Sequence, residues 1–594
     1  MKKITVIIFI AVISFGNMMQ SKASSITAMQ DSTKTKIGFN KSFKFESERK
    51  VYENVQKIMD EPELEKQGKK VDVKYDMLGH PISKNITLAK MKPAEMDLPT
   101  YDRKGYGYLK AGFGTYISPL FEAVYNNKNA SKYLFGFNVF HNSQFGNIKL
   151  DSGQKVGAPR SNTLVDLSSR FFLEESVLGV DVGYGNHFNS YYGYVGEVPS
   201  AILDDSQNPY HYGDRFSQNH ASIGVTFKTE KPADKVSVNS AVKYTYLKTN
   251  YDQVENNVVL DLDLLKKFNK LYGGVDFQFV YDGLSNSSHA FPTDLAKDLF
   301  FRFVPNVSFR NDLFVGSVGI GVDGSFDSVF GNNILVYPEI HVDYDVLKGY
   351  MKLYLSLNGG IKNNSYSKMI FENSYINNSQ RVMDSKEKLK MSFGMKGLFA
   401  SIISYDAFVK YKVVGNEHYW GMQKYVEDNG VEVYDNRFNV FYQDINTTTL
   451  GLKLNAVLSK KTFVSAGFQY NNYSLDSDSL YYKPKFEFDV NGHFQVTPRL
   501  SLNSKVNFVG EQNGMVYSIN TVDNGVGKEN VAKQANNAVL IKSYWNIGVG
   551  AKYELPYNLT VYCDFENLLN QNYQKWLGYN ENGFEFKLGA TWNF

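Results

Sequence analysis

The chain has 594 residues and a mean hydropathy of −0.35, yet aromatic residues make up 15% of it, with 42 Tyr, 43 Phe and only 15 Pro. Lys and Arg number 64 and Asp and Glu 61, and a nearly neutral chain without a basic tract is a poor candidate for nucleic-acid binding. The single cysteine, Cys563, excludes an internal disulfide.

Residues 1–23 have the pattern of a secretory signal peptide. Lysines at positions 2 and 3 precede the apolar run 4–15, and Ser21 and Ala23 supply the small residues before a cleavage site. The run is too short to span a bilayer as a helix. No cysteine lies in this leader, which excludes a lipoprotein anchor. Removing its three lysines from the 64 basic residues leaves 61 against 61 acidic residues in the exported chain.

Residues 24–104 differ from everything that follows. They are polar and charged, with apolar residues at helical spacing between 51 and 59 and two short strand-like runs at 71–75 and 86–89. Pro93 and Pro99 then indicate a linker. We interpret this part of the chain as a short periplasmic N-terminal segment with a short helix and a hairpin.

From Gly105 to Phe594 apolar and polar residues alternate, strand after strand. The last eleven residues show this alternation most clearly. Every second residue from Phe584 to Phe594 is apolar, and the residues between them are polar or glycine. Successive side chains of a strand point to opposite faces. A soluble β-protein would leave some twenty such apolar faces without partner sheets, whereas an outer-membrane barrel turns them toward lipid.

The connectors between these strands come in two sizes, which is typical of a barrel with short periplasmic turns and long external loops. Short connectors include 126–129 and 345–349, and long ones include 143–162, 186–215, 363–386, 473–484 and 511–537. The predicted fold is therefore all-β: a transmembrane antiparallel β-barrel of the outer membrane. At about 22–25 residues per strand and connector, residues 105–594 provide about 20–22 strands; we predict 22.

The C-terminal end carries a more specific pattern. Asp564-Phe-Glu-Asn-Leu-Leu-Asn-Gln-Asn-Tyr573, then Gly578-Tyr579 and the closing strand that ends in Phe594, resembles the last two strands of TonB-dependent receptors. The specific part covers about 40 residues, and the resemblance implies a 22-stranded barrel. Those receptors carry a plug domain of well over a hundred residues, whereas only residues 24–104 are available here. The chain thus resembles a receptor barrel that has lost its plug or kept a remnant of it.

The sequence predicts no catalytic, cofactor-binding or metal-binding residues and no enzymatic activity. The nine His residues show no metal-ligand spacing. A weak surface site from His211, His220 and Asp214 is conceivable, but polar loop residues explain them better. The glycine run 316–321 has strand parity, which places Asp323 on the lumen side. The pairs Tyr191-Tyr192 and Tyr481-Tyr482 could stack on sugars or pack within loops.

Two functions stay open at this point. The first is a receptor-like or porin-like barrel that passes solutes across the outer membrane of a Gram-negative cell. The alternative is a structural or accessory subunit of a larger outer-membrane complex for assembly, secretion or uptake. The expected partners are outer-membrane lipid, an unidentified solute, and other outer-membrane or periplasmic proteins, with no nucleic acid and no cofactor.

Overall fold

A computed structural model describes most of the chain beyond residue 105. The described residues are 106–127, 132–198, 213–229, 236–286, 296–378, 380–399, 402–426, 432–459, 461–475, 479–518, 522–523, 528–529 and 535–594. The predicted signal peptide and the predicted periplasmic segment 24–104, with its helix and hairpin, lie outside these residues and stay predictions.

Twenty-two strands form one closed antiparallel barrel. In chain order they are β1 Gly107–Gly114, β2 Leu120–Asn126, β3 Tyr133–Gln144, β4 Arg160–Phe172, β5 Ser176–Ser190, β6 Arg215–Thr229, β7 Ser237–Thr249, β8 Gln253–Phe268, β9 Leu271–Asn286, β10 Ala296–Arg310, β11 Phe314–Asp327, β12 Gly331–Leu347, β13 Met351–Lys362, β14 Ser385–Phe399, β15 Ile403–Val426, β16 Glu432–Ser459, β17 Thr462–Leu475, β18 Phe486–Gln495, β19 Leu500–Val509, β20 Tyr544–Leu555, β21 Leu559–Glu566 and β22 Glu585–Asn593. The predicted fold class and the predicted strand number are confirmed.

The last strand closes the barrel against the first. β22 pairs with β21 on one side and with β1 on the other, where Leu109 is opposite Trp592 and Phe113 is opposite Leu588. The backbone of Phe594 also bonds with that of Gly107, through Phe594 N–H to the Gly107 carbonyl at 3.0 Å. Closure removes the free edges that an open sheet would present to lipid, where unpaired backbone groups are costly.

The alternation of the sequence becomes an outer apolar face and an inner polar face. On β22, Leu588 is 55% and Trp592 48% exposed on the outer face, whereas Lys587 and Thr591 have the opposite parity. Cys563, which is opposite Leu588 across the β21–β22 pair, shares the outer parity, as predicted from its position. The outward rows of Leu, Val, Ile and aromatic side chains supply the lipid-facing band of a membrane barrel.

The two ends of the barrel differ in the length of their connections. At one end, the turns that join consecutive strands have two to seven residues. At the other end, eleven connections, here L1 to L11 in chain order, range from three residues between β7 and β8 to 34 between β19 and β20. Short turns are typical of the periplasmic end of an outer-membrane barrel and long connections of the extracellular end.

Two strands are much longer than a bilayer requires. β15 has 24 residues and β16 has 28, whereas about 9–11 tilted residues cross the hydrocarbon layer. Their loop-side ends therefore extend beyond the membrane. The described parts of the loops hold one helix, α1 Tyr366–Glu372, and short strands at Asn147–Lys149, Lys155–Gly157, Gln512–Ser518, Val522–Asp523, Lys528–Glu529, Ala535–Ile541, Gln574–Trp576 and Tyr579–Asn580. No helix among the described residues is long and apolar enough to cross a membrane.

A charge on the outer face should destabilise the barrel. Leu588 lies near the middle of β22 and is 55% exposed on the lipid side, so Leu588→Arg is expected to cost about 2–4 kcal/mol of the free energy of unfolding. Unfolding by urea in lipid vesicles measures this loss. Thr591→Arg on the lumen side of the same strand is the matched control, and an equal loss in both variants would contradict the assignment of the two faces.

Candidate functional site

The inner wall of the barrel is polar, and several of its charged side chains form pairs. Arg170 contacts Asp181 at 2.9 Å between neighbouring strands. Amides elsewhere on the wall donate to carboxylates, as Gln278 does to Asp261 at 2.7 Å. A barrel of this width is too wide to be filled by its own side chains. The inward-facing polar side chains therefore surround a lumen, which other parts of the molecule must either fill or leave open.

The strongest polar network of the wall centres on Asp323 of β11, which has no exposed surface. Its carboxylate accepts two hydrogen bonds from Arg302 Nε at 3.0 and 3.2 Å and one from Arg302 Nη2 at 2.6 Å. Tyr337 Oη donates to it at 3.0 Å and the Ile361 backbone N–H at 2.7 Å. A Cβ at Gly360 would lie 2.6 Å from Arg302 Nη2, so this position requires glycine.

At the loop end, three long connections start from well-separated points of the ring. L3 (191–214) joins β5 and β6, L7 (363–384) joins β13 and β14, and L11 (567–584) joins β21 and β22. Around the closed ring these points are eight, eight and six strands apart, which is close to an even division. Loops that start there and touch one another must therefore cross the mouth of the lumen.

One tyrosine from each of these loops meets the other two. Tyr375 of L7 stacks on Tyr579 of L11 with ring centroids 3.6 Å apart, and Tyr192 of L3 packs edge-on against Tyr375 at 6.0 Å and Tyr579 at 5.0 Å. Tyr192 and Tyr579 are 4% and 2% exposed. Stacked and edge-to-face aromatic pairs each contribute about 0.5–1.5 kcal/mol beyond the burial of their surface. We call these three residues the tyrosine triad.

Glycines allow the loops to approach one another this closely. A Cβ at Gly193 would lie 2.4 Å from the ring of Tyr579, so any larger residue there would displace the triad. Gly578 has a φ of +79°, in the left-handed region that favours glycine, and its backbone N–H donates to Gln574 Oε1 at 2.9 Å. It forms the turn between the short strands Gln574–Trp576 and Tyr579–Asn580, which places Tyr579 in the triad.

Hydrogen bonds between the loops are directional and span large distances in sequence. Tyr191 Oη donates to the carbonyl of Ile376 at 2.9 Å, and Tyr192 Oη donates to that of Asn580 at 2.8 Å. Tyr579 Oη donates to the carbonyl of Asn436 at the loop-side end of β16. Because buried polar groups lose their hydration, each of these partners is needed for the loops to pack.

The tyrosine triad belongs to one continuous buried cluster. It is built from L2 (145–159), L3, L7, L10 (510–543), L11 and the loop-side ends of neighbouring strands, and we call it the loop cap. Its buried apolar members are Ile148, Leu150, Val156, Ala158, Tyr191, Tyr192, Tyr194, Val198, Phe216, Leu247, Tyr366, Met369, Ile370, Ile376, Trp420, Met422, Val433, Phe438, Val440, Val516, Ile541, Leu577 and Tyr579.

Helix α1 anchors L7 to the barrel wall. Ser365 caps its N-terminus through a hydrogen bond from Lys368 N–H, and Tyr366, Met369 and Ile370 are buried. The backbone N–H of Ser367 donates to the carboxylate of Glu255 on β8, at 3.0 and 3.3 Å. A carboxylate near the first turn is favoured because the unpaired N–H groups there carry partial positive charge.

Ionic contacts hold the cap to the long strand β15. The carboxylate of Glu372 accepts hydrogen bonds from His418 Nε2 at 2.8 Å and from Trp420 Nε1 at 2.9 Å. Lys483 of L9 (476–485) donates to Glu417 Oε1 at 2.6 Å. Burial by itself would raise the pKa of Glu417, but the nearby cations, chiefly Lys483, outweigh it and lower the pKa to about 2. Glu417 is the fifteenth residue of β15, beyond the membrane-spanning part.

This shift predicts how the cap responds to acid. Because the pKa of Glu417 falls from 4.5 to about 2 on folding, its contribution is fully present above pH 4.5 and is lost as the pH falls through 2. We expect the fluorescence of the cap tryptophans, Trp420 and Trp576, to be constant from neutral pH to about 4.5 and to change below it. Glu417→Gln should reduce that change; an unaltered acid transition would contradict this assignment.

The structure corrects one of the sequence-based interpretations. His220 is not a loop residue: it lies in β6 and is 2% exposed. It faces inward, where its ring packs edge-on against Phe371 at 5.7 Å, and residue 211 lies outside the described residues. Among the residues described, no group of three or more His, Cys, Asp or Glu is placed to hold a metal ion.

In the structure, the pairs Tyr191-Tyr192 and Tyr481-Tyr482 pack within the loops. Tyr191 and Tyr192 have 0% and 4% of their surface exposed in the loop cap, and Tyr481 has 4%. The ring of Tyr481 stacks against Tyr419 of β15 at 5.5 Å. The surfaces of Tyr191, Tyr192 and Tyr481 are therefore covered by protein. Tyr375, the third member of the tyrosine triad, was missed because a single tyrosine in an Asn- and Ser-rich loop carries no periodic signal.

The C-terminal motif forms a compact turn above β21. Asn567 and Asn570 both have a φ of 48°, a conformation that asparagine tolerates better than most residues. The side-chain amide of Asn567 donates to the carbonyls of Gln571 at 2.8 Å and Asn582 at 2.9 Å. Tyr573 stacks on Tyr544 at 4.1 Å. The motif thus fixes where L11 leaves the barrel and returns to β22.

No protein-family model matches the chain, and no curated protein sequence matches it. Solved structures do. The ferric-catecholate import receptor Fiu from Escherichia coli K12 superposes with a TM-score of 0.58 at 12% identity, over 83% of this chain and 82% of that one. The FrpB iron transporter from Neisseria meningitidis gives 0.60 at 10%, over 83% and 82%. The siderophore receptor PirA from Acinetobacter baumannii gives 0.60 at 11%, over 82% and 80%.

These similarities and the geometry define the class of protein. A closed barrel of 22 antiparallel strands, with an apolar outer face and a polar lumen, is the fold of TonB-dependent outer-membrane receptors. The chain is thus an outer-membrane-type barrel with the architecture of those receptors, as its C-terminal motif predicted. The three superposed structures are receptors and transporters.

Proposed function

We propose that this protein passes solutes across the outer membrane through its lumen, with the loop cap as the closed gate on the extracellular side. The observation that carries the proposal is the meeting of L3, L7 and L11 over a polar lumen. A barrel that served only as a scaffold would need no cover made from loops spread around the whole ring. The similarity to iron, siderophore and copper receptors supports uptake as the direction of transport.

The cap is built so that it can open without unfolding the barrel. L3, L7 and L11 meet through ring packing and single hydrogen bonds, and the cap is tied to β15 by a few ionic contacts and a four-residue strand pairing. The barrel is instead held by continuous ladders such as the sixteen paired positions of β8 and β9. Local opening occurs in the segments that the fewest continuous hydrogen-bond ladders hold in place. A solute that binds the loops more strongly when they are apart would shift the equilibrium toward the open state.

Flux through reconstituted protein tests the proposal directly. The purified chain, inserted into planar bilayers, should show a low conductance that rises when the cap is loosened. Cross-linking of L3 to L11 with a cleavable bifunctional thiol reagent, through Tyr192→Cys and Asn580→Cys, should hold the conductance low, and cleavage of the reagent should raise the conductance. A barrel that conducts nothing in any of these states would argue against transport.

We propose that residues 24–104 restrict the lumen in addition to the loop cap. A wide barrel without any plugging matter would weaken the outer membrane as a barrier, and this charged segment is the part of the sequence left for that role. Deleting residues 24–104 is expected to raise the conductance and the sensitivity of cells to large antibiotics. Unchanged conductance and sensitivity would favour a docking role for the segment.

A subunit role in a larger outer-membrane complex is the second candidate. The observation in its favour is the extension of β15 and β16 beyond the membrane, since 24 and 28 residues offer a rigid surface outside the barrel. Purification in mild detergent, followed by mass spectrometry of co-purifying proteins, separates the two functions. A stoichiometric partner without solute flux supports the complex, and flux without a partner supports transport.

A further inference from the structure

The outer wall of the barrel carries a groove of 570 Å³ near its turn end. It crosses β8 to β11 and is lined by Leu264, Val275, Pro305, Val307, Val318 and Ile320, all of them apolar. Its volume falls within the range of about 300–1,000 Å³ that is typical of small-molecule sites. Because this wall faces lipid, its natural occupant is hydrocarbon.

Two local features make the wall concave here. Gly273 has the outward parity and carries no side chain, which lets the Phe268 ring lie close to its backbone; a Cβ at Gly273 would lie 3.1 Å from that ring. Pro305 has no backbone N–H, and the β10–β11 ladder lacks two pairs between Phe303 opposite Val322 and Asn306 opposite Gly319, with the register unchanged. A proline cannot donate to the ladder, so the two strands are less tightly joined at this point.

The turn at the end of the groove is basic. Lys266 lines the groove itself, and Lys270 lies beside it in the exposed β8–β9 turn. The neighbouring β10–β11 turn carries one acid, Asp312. Lysine stems can lie along apolar surface while their ammonium groups reach the interface, and clusters of lysine at a membrane surface attract anionic lipid headgroups.

We propose that this groove is a binding site for an anionic glycerophospholipid of the inner leaflet. One acyl chain would lie against Val275, Val307 and Val318, and the phosphate would meet the ammonium groups of Lys266 and Lys270. The short turns place this end at the periplasmic side, where the leaflet consists of phospholipids. The proposal is independent of solute transport, since the site is on the outside of the barrel.

Native mass spectrometry of the purified protein with added phosphatidylglycerol or phosphatidylcholine tests it. The wild type should retain one phosphatidylglycerol with a preference of about twenty-five-fold, and Lys266→Gln with Lys270→Gln should abolish that preference, by about fivefold for each lysine. Gly273→Leu should fill the groove and remove the bound lipid whatever its headgroup. The matched controls are Lys348→Gln, in another turn, and Ala407→Leu, elsewhere on the lipid face. They should change neither the headgroup preference nor the amount of bound lipid.

Equal retention of the two lipids by the wild type would overturn the headgroup assignment. Unchanged retention in Gly273→Leu would overturn the groove. Heat-modifiable migration in gels establishes that each variant is a folded barrel. If Gly273→Leu fails to fold, Ile320→Phe fills the same groove from β11, and lipid retained at the wild-type level in that variant would likewise overturn the proposal.

Discussion

Replacing Tyr579 by alanine is expected to open the loop end of the lumen while the barrel stays intact. The change removes the stack with Tyr375 at 3.6 Å, the edge contact with Tyr192 at 5.0 Å and the hydrogen bond to the Asn436 carbonyl. Truncating a buried aromatic side chain to alanine costs about 3–5 kcal/mol. Here that cost falls on the cap, because Tyr579 contacts only loop residues and the loop-side end of β16.

The size of this effect follows from the equilibrium between closed and open caps. A loss of about 3 kcal/mol changes an equilibrium constant by about a hundredfold, so openings that are rare in the wild type should become frequent. Planar-bilayer conductance measures them, in the exported chain and in the chain without residues 24–104. The deletion background removes any restriction by that segment and isolates the cap.

The matched control is Tyr557→Ala. Tyr557 lies in the β20–β21 turn at the other end of the barrel and is 92% exposed, so its loss should leave conductance unchanged. Gly193→Val should act like Tyr579→Ala, since a Cβ at position 193 would meet the Tyr579 ring at 2.4 Å. Wild-type conductance in both cap variants, on the deletion background, would show that the tyrosine triad does not close the lumen.

Asp323→Ala is expected to cause the largest loss of barrel stability, about 3–5 kcal/mol, which is typical when one partner of a buried ion pair is removed. Asp323 is fully buried and accepts from Arg302, Tyr337 and the Ile361 backbone. Without it, the Tyr337 hydroxyl and the Ile361 N–H lose this acceptor, and the Arg302 guanidinium keeps only the Ile361 carbonyl. Such orphaned groups cannot recover their hydration inside the wall.

Equilibrium unfolding of the reconstituted barrel in urea or guanidinium measures this loss, as a lower midpoint with an unchanged slope. Lys388→Ala is the matched control. Its partner contact with Asp444 at 3.2 Å joins two side chains that are 50% and 52% exposed, and exposed pairs contribute about 0–1 kcal/mol. Equal midpoints for the two variants would show that the Asp323 network does not stabilise the wall.

The sequence by itself determined the barrel. Each strand carries its own two-sided pattern, because a lipid-facing side chain and a lumen-facing side chain alternate at every residue whatever the neighbouring strand is. The apolar rows around Val182, Leu355 and Leu588 could therefore be recognised one strand at a time, and the number of strands followed from the chain length. The position of Cys563 on the outer face and of Asp323 on the inner face followed from parity alone.

Only the tertiary structure decided what happens at the loop end and on the wall. Tyr192, Tyr375 and Tyr579 come from loops that are far apart in the chain, and no local period links them. His220 was placed in a loop because its strand begins earlier than its polar sequence suggests, at Arg215. The lipid groove depends on Gly273 and Pro305 lying on neighbouring strands. Such contacts arise when the ring closes, and closure brings together residues that the sequence keeps separate.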